Sequence, residues 1–250
     1  MKVKTFASRS EFWRSEEVMK KTCSVAIMAF NESESLEDVV SEIIDVLKES
    51  PCNFEVMIIN DGSSDGTGDV ARRLESNIPE VRVIEHETNL GLGEVYRSGF
   101  REAQGDWLTF MPGDGQIPPS DLKGFIDQME SFDMVLGFIP DRPVPAYVKL
   151  LSFGERALYR LLVGKMPRFQ GILMFRTVIL KEVPLVSTGR GWTILMEFIL
   201  KVSNGNYRIG HAPTGLRDRV AGESKVNNIR TIWSNLTQMM KLRGDILRGK

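Results

Sequence analysis

Four short stretches of this sequence gather carboxylates, carboxamides and glycines. They are Phe30-Asn31-Glu32, Asn60-Asp61-Gly62-Ser63, Thr88-Asn89-Leu90-Gly91-Leu92-Gly93 and Pro112-Gly113-Asp114-Gly115-Gln116. Asp, Asn, Ser and Gly are also the residues of plain turns, so any one stretch reads equally well as a turn. Each follows an apolar run, however, and four polar turns in succession, three of them glycine-rich, are more than chain reversal needs. In an open parallel sheet, ligands sit beyond the carboxyl ends of the strands. Gly91-x-Gly93 is part of a dinucleotide fingerprint, but the third glycine is missing, because position 96 is Tyr, and the stretch follows the third apolar run. A hydride-transferring dehydrogenase is therefore disfavoured, and the absence of a Walker A loop disfavours a P-loop hydrolase. Cys23 and Cys52 are too few for a disulfide scaffold or a thiolate zinc site, and His86 and His211 lack metal-ligand spacing. His86 reads as a strand-end residue.

The elements that must position these turns alternate regularly. Ser24–Phe30, Phe54–Ile59, Val81–Glu85 and Trp107–Met111 read as short buried strands. Between them, Ser33–Lys48, Thr67–Ser76 and Leu92–Ala103 read as helices. The first has Leu36, Val39, Val40, Ile43, Ile44 and Leu47 at helical spacing. Short loops and strict alternation predict an α/β fold: a mostly parallel sheet flanked by crossover helices, with a Rossmann-like nucleotide-binding half. Beyond Pro118-Pro119 the order changes. Helices are expected at Asp121–Glu130, Tyr147–Val163, Thr177–Lys181 and Thr193–Ser203, and strands at Met134–Phe138, Gly171–Phe175 and Tyr207–Gly210. Residues 217–225 read as a loop and 226–247 as a final helix.

In chain order, Ala29-Phe-Asn-Glu32, Asn60-Asp-Gly-Ser-Ser-Asp-Gly-Thr67, Asn89-Leu-Gly-Leu-Gly93, Asp114-Gly-Gln116 with Pro118-Pro119, and Arg219-Val-Ala-Gly-Glu-Ser-Lys225 resemble glycosyltransferase family 2, with its GT-A fold. Within that family the chain is similar to the dolichyl-phosphate mannosyltransferase and polyprenyl-phosphate glycosyltransferase group, over roughly residues 22 to 230. The Arg219 to Lys225 run favours that group. The resemblance implies one glycosyltransferase domain over 22–225, with a nucleotide-binding half at 22–140 and an acceptor half at 141–225. A lead-in at 1–21 precedes it and a C-terminal amphipathic helix at 226–250 follows. It implies that Ala29, Phe30, Asn31, Glu32, Asp61, Gly62, Asn89 and Gly93 hold the nucleotide of a nucleoside-diphosphate sugar, linked to GDP or UDP. Asp114, as the catalytic residue, and Gln116 would bind Mg²⁺ or Mn²⁺ on the diphosphate, a hard cation suited to oxygen ligands. Arg142, Ser152, Arg219, Ser224 and Lys225 would grip the phosphate of a polyprenyl phosphate acceptor. A phosphate acceptor is already a nucleophilic oxyanion and needs orientation rather than a strong base. Inversion by direct displacement is implied.

Three positions depart from the family pattern. Pro112 stands where the Asp-x-Asp metal motif has its first acid, leaving Asp114 alone. Gly137-Phe-Ile139 replaces a frequent Gly-x-Arg, and Arg168-Phe-Gln170 replaces a frequent Asp before Gly171. A family 2 enzyme with a saccharide or other hydroxyl acceptor in surface glycan synthesis, and a non-catalytic nucleotide-sugar-binding relative, stay open as alternatives. Glu197, inside Ile194–Ile199, reads as a helix-edge charge.

Charge sharpens the division between the halves. Residues 1–140 carry 13 Lys and Arg against 26 Asp and Glu, and residues 141–250 carry 19 against 7, within a net charge of −1. Such asymmetry suits a basic side that meets phosphate or an anionic membrane, while the neutral total and the family resemblance argue against nucleic acid. The last helix, with Val226, Ile229, Ile232, Trp233, Leu236, Met239 and Met240 on one face and six Lys or Arg from Lys225 on, either packs on the domain or lies on a bilayer. With no secretory signal and no run of about 18 apolar residues, the expected location is cytoplasmic, with peripheral membrane contact or a membrane partner.

Overall fold

Stretches such as Val25–Ala29 and Val56–Ile59 have no polar break, as strands covered on both faces do. In the computed structural model, which describes residues 20–140 and 167–217, they form the centre of one seven-stranded sheet. The strands are β1 (Thr22–Ala29), β2 (Asn53–Asn60), β3 (Val81–Glu85), β4 (Trp107–Pro112), β5 (Met134–Phe138), β6 (Leu173–Arg176) and β7 (Ile209–Pro213). Their order is β3-β2-β1-β4-β6-β5-β7. The pairs β1–β2, β1–β4, β2–β3 and β5–β7 are parallel, whereas β6 runs antiparallel between β4 and β5. Two antiparallel steps restore the direction, so β1 to β5 and β7 all end at one edge of the sheet. At that same edge β6 begins.

Alternating side chains feed two cores. Val25, Ile27, Val56 and Ile58 pack beneath α1 (Leu36–Lys48) and α2 (Thr67–Asn77), through Leu36, Val40, Ile43, Leu47, Ala71 and Leu74. On the other face Ala26, Met57, Ile59, Leu108 and Phe110 meet α3 (Leu92–Glu102) and α6 (Thr193–Asn204) through Val95, Tyr96, Phe198 and Val202. This is the period-two alternation of a sheet between helical layers.

Several expected elements shift: the first helix begins at Leu36 rather than Ser33, and the strand expected at Gly171–Phe175 is β6 (Leu173–Arg176). The helix expected at Asp121–Glu130 is a 3₁₀ turn at Pro119–Asp121 and a short helix α4 (Leu122–Ile126). Beyond it the chain tightens to i+3 bonds, Gln128 N–H to Phe125 C=O at 3.1 Å and Met129 N–H to Ile126 C=O at 3.1 Å. The short helix at 177–181 is α5 (Ile179–Glu182). The last strand lies two residues later than periodicity indicates, because β7 pairs with β5 from Met134–Ile209 to Phe138–Pro213. The helices expected at 147–163 and 226–247 lie outside the described residues.

Gly99 of α3 faces the ring of Phe110: an added Cβ would lie 2.4 Å from Cε1 and 2.6 Å from Cζ, and Phe110 is itself buried. Overpacking a closed core costs about 1–3 kcal/mol. Gly99→Ala should therefore lower stability in urea denaturation by about that amount, although Ala is the better helix former.

Candidate functional site

The carboxyl edge of the sheet carries all four polar turns, each held by its neighbours. After β1, Asn31 takes a left-handed conformation with φ +56°, which Asn tolerates through its short polar side chain. Its N–H donates to Ser63 Oγ at 2.9 Å, and its Oδ1 accepts from Ser64 N–H at 2.9 Å. Glu32 N–H donates to Thr67 Oγ1 at 2.9 Å, and Ser33 N–H to Asp65 at 3.1 Å. The first two turns are thus one stapled unit. Ala29 closes β1, and its carbonyl accepts Asp61 N–H at 2.9 Å. Phe30 is half-buried beside it.

Asp61 is buried at the end of β2, and protein donors fill its carboxylate. Oδ1 accepts Leu90 N–H at 2.9 Å and Oδ2 accepts Gly91 N–H at 2.9 Å and Asn89 Nδ2 at 3.0 Å. His86 Nδ1 lies 2.7 Å from Oδ1. Gly62 follows with φ +65°. A Cβ there would sit 2.3 Å from the Thr88 carbonyl carbon, so glycine lets the third turn lie against the second.

A segment from the far half clamps the third turn. Gly93 N–H donates to Arg190 C=O at 2.8 Å, and a Cβ at Gly93 would fall 2.1 Å from Gly189 C=O. Arg190 reaches Asn89 C=O at 2.7 Å and Oδ1 at 3.0 Å, and Arg97 Nη1 donates to Ser187 C=O at 3.2 Å. Behind them Glu197 accepts Ser187 N–H at 2.8 Å and Val186 N–H at 3.0 Å and pairs with Lys201 Nζ at 2.8 Å. Glu197 is fully buried, so it is not the helix-edge charge expected from its position. Burial opposes its ionisation, but Lys201 and these N–H donors outweigh it and hold the carboxyl below its usual range.

At the end of β4, Asp114 is buried to 8% exposure, and its Oδ1 accepts Gln116 N–H at 3.0 Å in a turn opened by Gly115 at φ +71°. Gln116 is half-buried, and its carbonyl accepts Arg217 N–H at 2.7 Å. Arg217 also pairs with Glu42 at 2.8 Å, and Gly215 N–H donates to Asp121 Oδ2 at 2.6 Å. The strand-end segment after β7 is thereby tied to the Asp114 turn. Among the described residues, no three His, Cys, Asp or Glu side chains gather as a metal cluster. Asp114 and Gln116 both carry side-chain oxygens, the ligand type that suits a hard cation taking its remaining ligands from a diphosphate and water.

The structure therefore brings Ala29, Phe30, Asn31, Glu32, Asp61, Gly62, Asn89, Gly93, Asp114 and Gln116 to one sheet edge. Arg142, Ser152, Arg219, Ser224 and Lys225 lie outside the described residues. Sequence reasoning missed His86, Arg190 and Arg97. A histidine between a β-strand and a polar turn was the available signal for the first. The two arginines act on backbone carbonyls and leave no motif. No helix among the described residues is long and apolar enough to cross a membrane.

A family model for glycosyl transferase family 2 matches residues 24–176. A dolichol-phosphate mannosyltransferase of Pyrococcus furiosus is 31% identical over 90% of this chain, and the alignment covers 65% of that relative's length. An undecaprenyl-phosphate mannosyltransferase of Micrococcus luteus is 29% identical over 80% of this chain and 86% of its own. Among solved structures, glucosyl-3-phosphoglycerate synthase of Mycobacterium tuberculosis in complex with UDP aligns with a TM-score of 0.63 at 17% identity, over 95% of this chain and 86% of its own. The same enzyme in complex with Mn²⁺, UDP-glucose and phosphoglyceric acid aligns with a TM-score of 0.59 at 18% identity, over 95% of this chain and 86% of its own. The chain belongs to glycosyl transferase family 2, and its mostly parallel mixed sheet with flanking helices is the GT-A fold.

The staple between the first two turns is pH-dependent. Burial opposes ionisation of Asp65, but hydrogen bonds from Thr67 and Ser33 prevail and lower its carboxyl to about 2. A depressed folded-state value gives stability that is present above the unfolded value near 4 and lost as pH falls towards 2. Asp65→Asn should be less stable than the parent at about pH 5, with the gap narrowing at about pH 3 in urea titrations.

Proposed function

We propose that the protein transfers a sugar from a nucleoside diphosphate to a polyprenyl phosphate, with inversion and with a divalent cation on the diphosphate. The reading rests on family membership, on the names of the relatives from Pyrococcus furiosus and Micrococcus luteus, and above all on one contact. Arg217 N–H donates to Gln116 C=O, tying the strand that leads into Arg219–Lys225 to the Asp114 turn. Arg219 follows two residues later, within about 8 Å of Arg217 by chain length alone. The segment that leads to the basic run is thus held at the acidic turn.

In this reading the nucleotide lies along the carboxyl edge, over Ala29, Phe30, Asn31 and Glu32. Asn89 and Gly93 border it, and Asp61 and Gly62 act through the shape they impose on that turn. Asp114 and Gln116 hold Mg²⁺ or Mn²⁺, supported by the Mn²⁺ and UDP-glucose bound to the Mycobacterium tuberculosis neighbour. When bound, the ion offsets the negative charge that develops on the departing diphosphate. Arg219 and Lys225, with Arg142, Ser152 and Ser224, orient the acceptor phosphate. Its oxygen attacks the anomeric carbon from the face opposite the diphosphate. The new C–O bond forms as the bond to the diphosphate breaks, and no base is needed because the acceptor is already anionic. Domain limits of 22–140 for the nucleotide half and 141–225 for the acceptor half, and peripheral contact with the cytoplasmic face of a membrane, belong to the same proposal.

A radiolabelled donor screen with GDP- and UDP-sugars tests it. With Mn²⁺ and a polyprenyl phosphate, label should partition into the organic phase, and Asp114→Asn should reduce transfer on the order of 100-fold or more while leaving the thermal unfolding midpoint nearly unchanged. Label that stays water-soluble with every lipid phosphate would overturn the lipid acceptor. Transfer to a saccharide instead would point to surface glycan synthesis.

A further inference from the structure

The Asp61 carboxylate has a fourth protein partner that the proposed transfer does not use. His86 lies just beyond β3, with its side chain 7% exposed. Its Nδ1 lies 2.7 Å from Asp61 Oδ1, and its Nε2 lies 2.9 Å from the Oγ of Ser98, a fully buried residue of α3. Arg101, one turn further along α3, donates to that Oγ at 3.2 Å. The surrounding groups assign the protons. A guanidinium only donates, so Ser98 Oγ accepts from Arg101 while it also meets His86 Nε2. An ionised carboxylate only accepts, so the imidazole carries a proton on Nδ1 and donates it to Asp61. The result is a hydrogen-bonded chain that links Arg101, Ser98, His86 and Asp61, ending on the carboxylate that holds Asn89, Leu90 and Gly91.

We infer that His86 is a positioning residue for the nucleotide donor. It fixes the orientation of the Asp61 carboxylate and thereby the Asn89–Gly91 turn that borders the nucleotide. The inference rests on the nucleotide reading above for its consequence, though not for its geometry. Three observations carry it together. The two ring nitrogens are both engaged, so the imidazole plane is set. The carboxylate it meets is buried, and both of its oxygens already accept backbone N–H groups of the turn. Its own N–H donates to Asn60 C=O at 2.9 Å, which holds the ring's backbone against β2. Without the imidazole, Oδ1 retains only the Leu90 N–H among these donors, and three bonds instead of four hold the carboxylate. Arg190, which grips Asn89 from the far half, would then act on a turn with a weakened anchor.

A pair of substitutions separates positioning from mere packing. An Asn carboxamide places a donor close to where Nδ1 stands, whereas a Gln carboxamide places one nearer Nε2. His86→Asn therefore keeps the bond to Asp61, and His86→Gln keeps only the end facing Ser98. The readouts are amide hydrogen exchange at Leu90 and Gly91 and steady-state kinetics with the nucleotide sugar. In His86→Gln, exchange at both amides should rise about tenfold and the donor KM about tenfold, with kcat changed by less than about threefold, the scale of one hydrogen bond to a charged group. His86→Asn should restore both to within about threefold of the parent. If His86→Gln fails to fold, Ser98→Ala loosens the same ring from its far side and should move both readouts in the same direction. Unchanged exchange at Leu90 and Gly91, an unchanged donor KM, or identical behaviour of the Asn and Gln variants would overturn the inference. If the parent accepts no nucleotide sugar, the transferase reading fails, and the exchange measurement still decides whether His86 holds the turn.

Discussion

Removing a carboxylate from water costs several kcal/mol unless its lone pairs are filled, and Asp61 sits buried at the end of the second strand. Much of the carboxyl edge follows from that requirement. Leu90 and Gly91 must present their N–H groups to it, so the turn after β3 folds back over the end of β2. Gly62 is needed because that turn lies where a Cβ would be. Asn89 divides its carboxamide between Asp61 and Arg190, and so passes the constraint to the segment before α6. That segment is fixed in turn by Arg97 from one side and by the buried Glu197–Lys201 pair from the other. A polar network of this kind is stable only when every member is satisfied, and it then specifies one arrangement of the backbone.

The sheet supplies the second condition. Six strands end at the edge where β6 begins, so residues far apart in sequence share a rim. Gln116 and Arg217 meet there although a hundred positions separate them. The described chain also leaves the sheet at this edge after β5, returns at it into β6 and leaves it again after β7. The described connections beyond β5 thus meet the sheet at the edge that carries the four turns.

Much of this was legible without coordinates. The first four strands stand within two residues of the positions read from apolar runs, and Val81–Glu85 and Met134–Phe138 coincide with them, because buried parallel strands carry a strong compositional signal. The four polar turns were legible because each follows an apolar run, and three of them also carry the glycines that their close packing requires. The antiparallel placement of β6 was not, since strand direction leaves no trace in a run as short as Leu173–Arg176. Nor was the true range of β7, which pairing with β5 decides. Glu197 misled because a charge within an apolar helix looks the same whether it faces water or two backbone N–H groups. His86 was passed over for a related reason: the partners that give it meaning, Asp61 and Ser98, lie 25 residues before it and 12 after it.

The central claim is that donor and acceptor chemistry meet on one rim, with the nucleotide laid across the turns that Asp61 organises and its diphosphate at Asp114. A crystal structure with a nucleoside diphosphate and Mn²⁺ tests it most directly. The account predicts the nucleoside against residues 29–32 and the Asn89–Gly93 turn, the cation within bonding distance of the Asp114 carboxylate, and the diphosphate facing the chain beyond Arg217. A nucleotide bound away from this edge, or a cation held without Asp114, would contradict it.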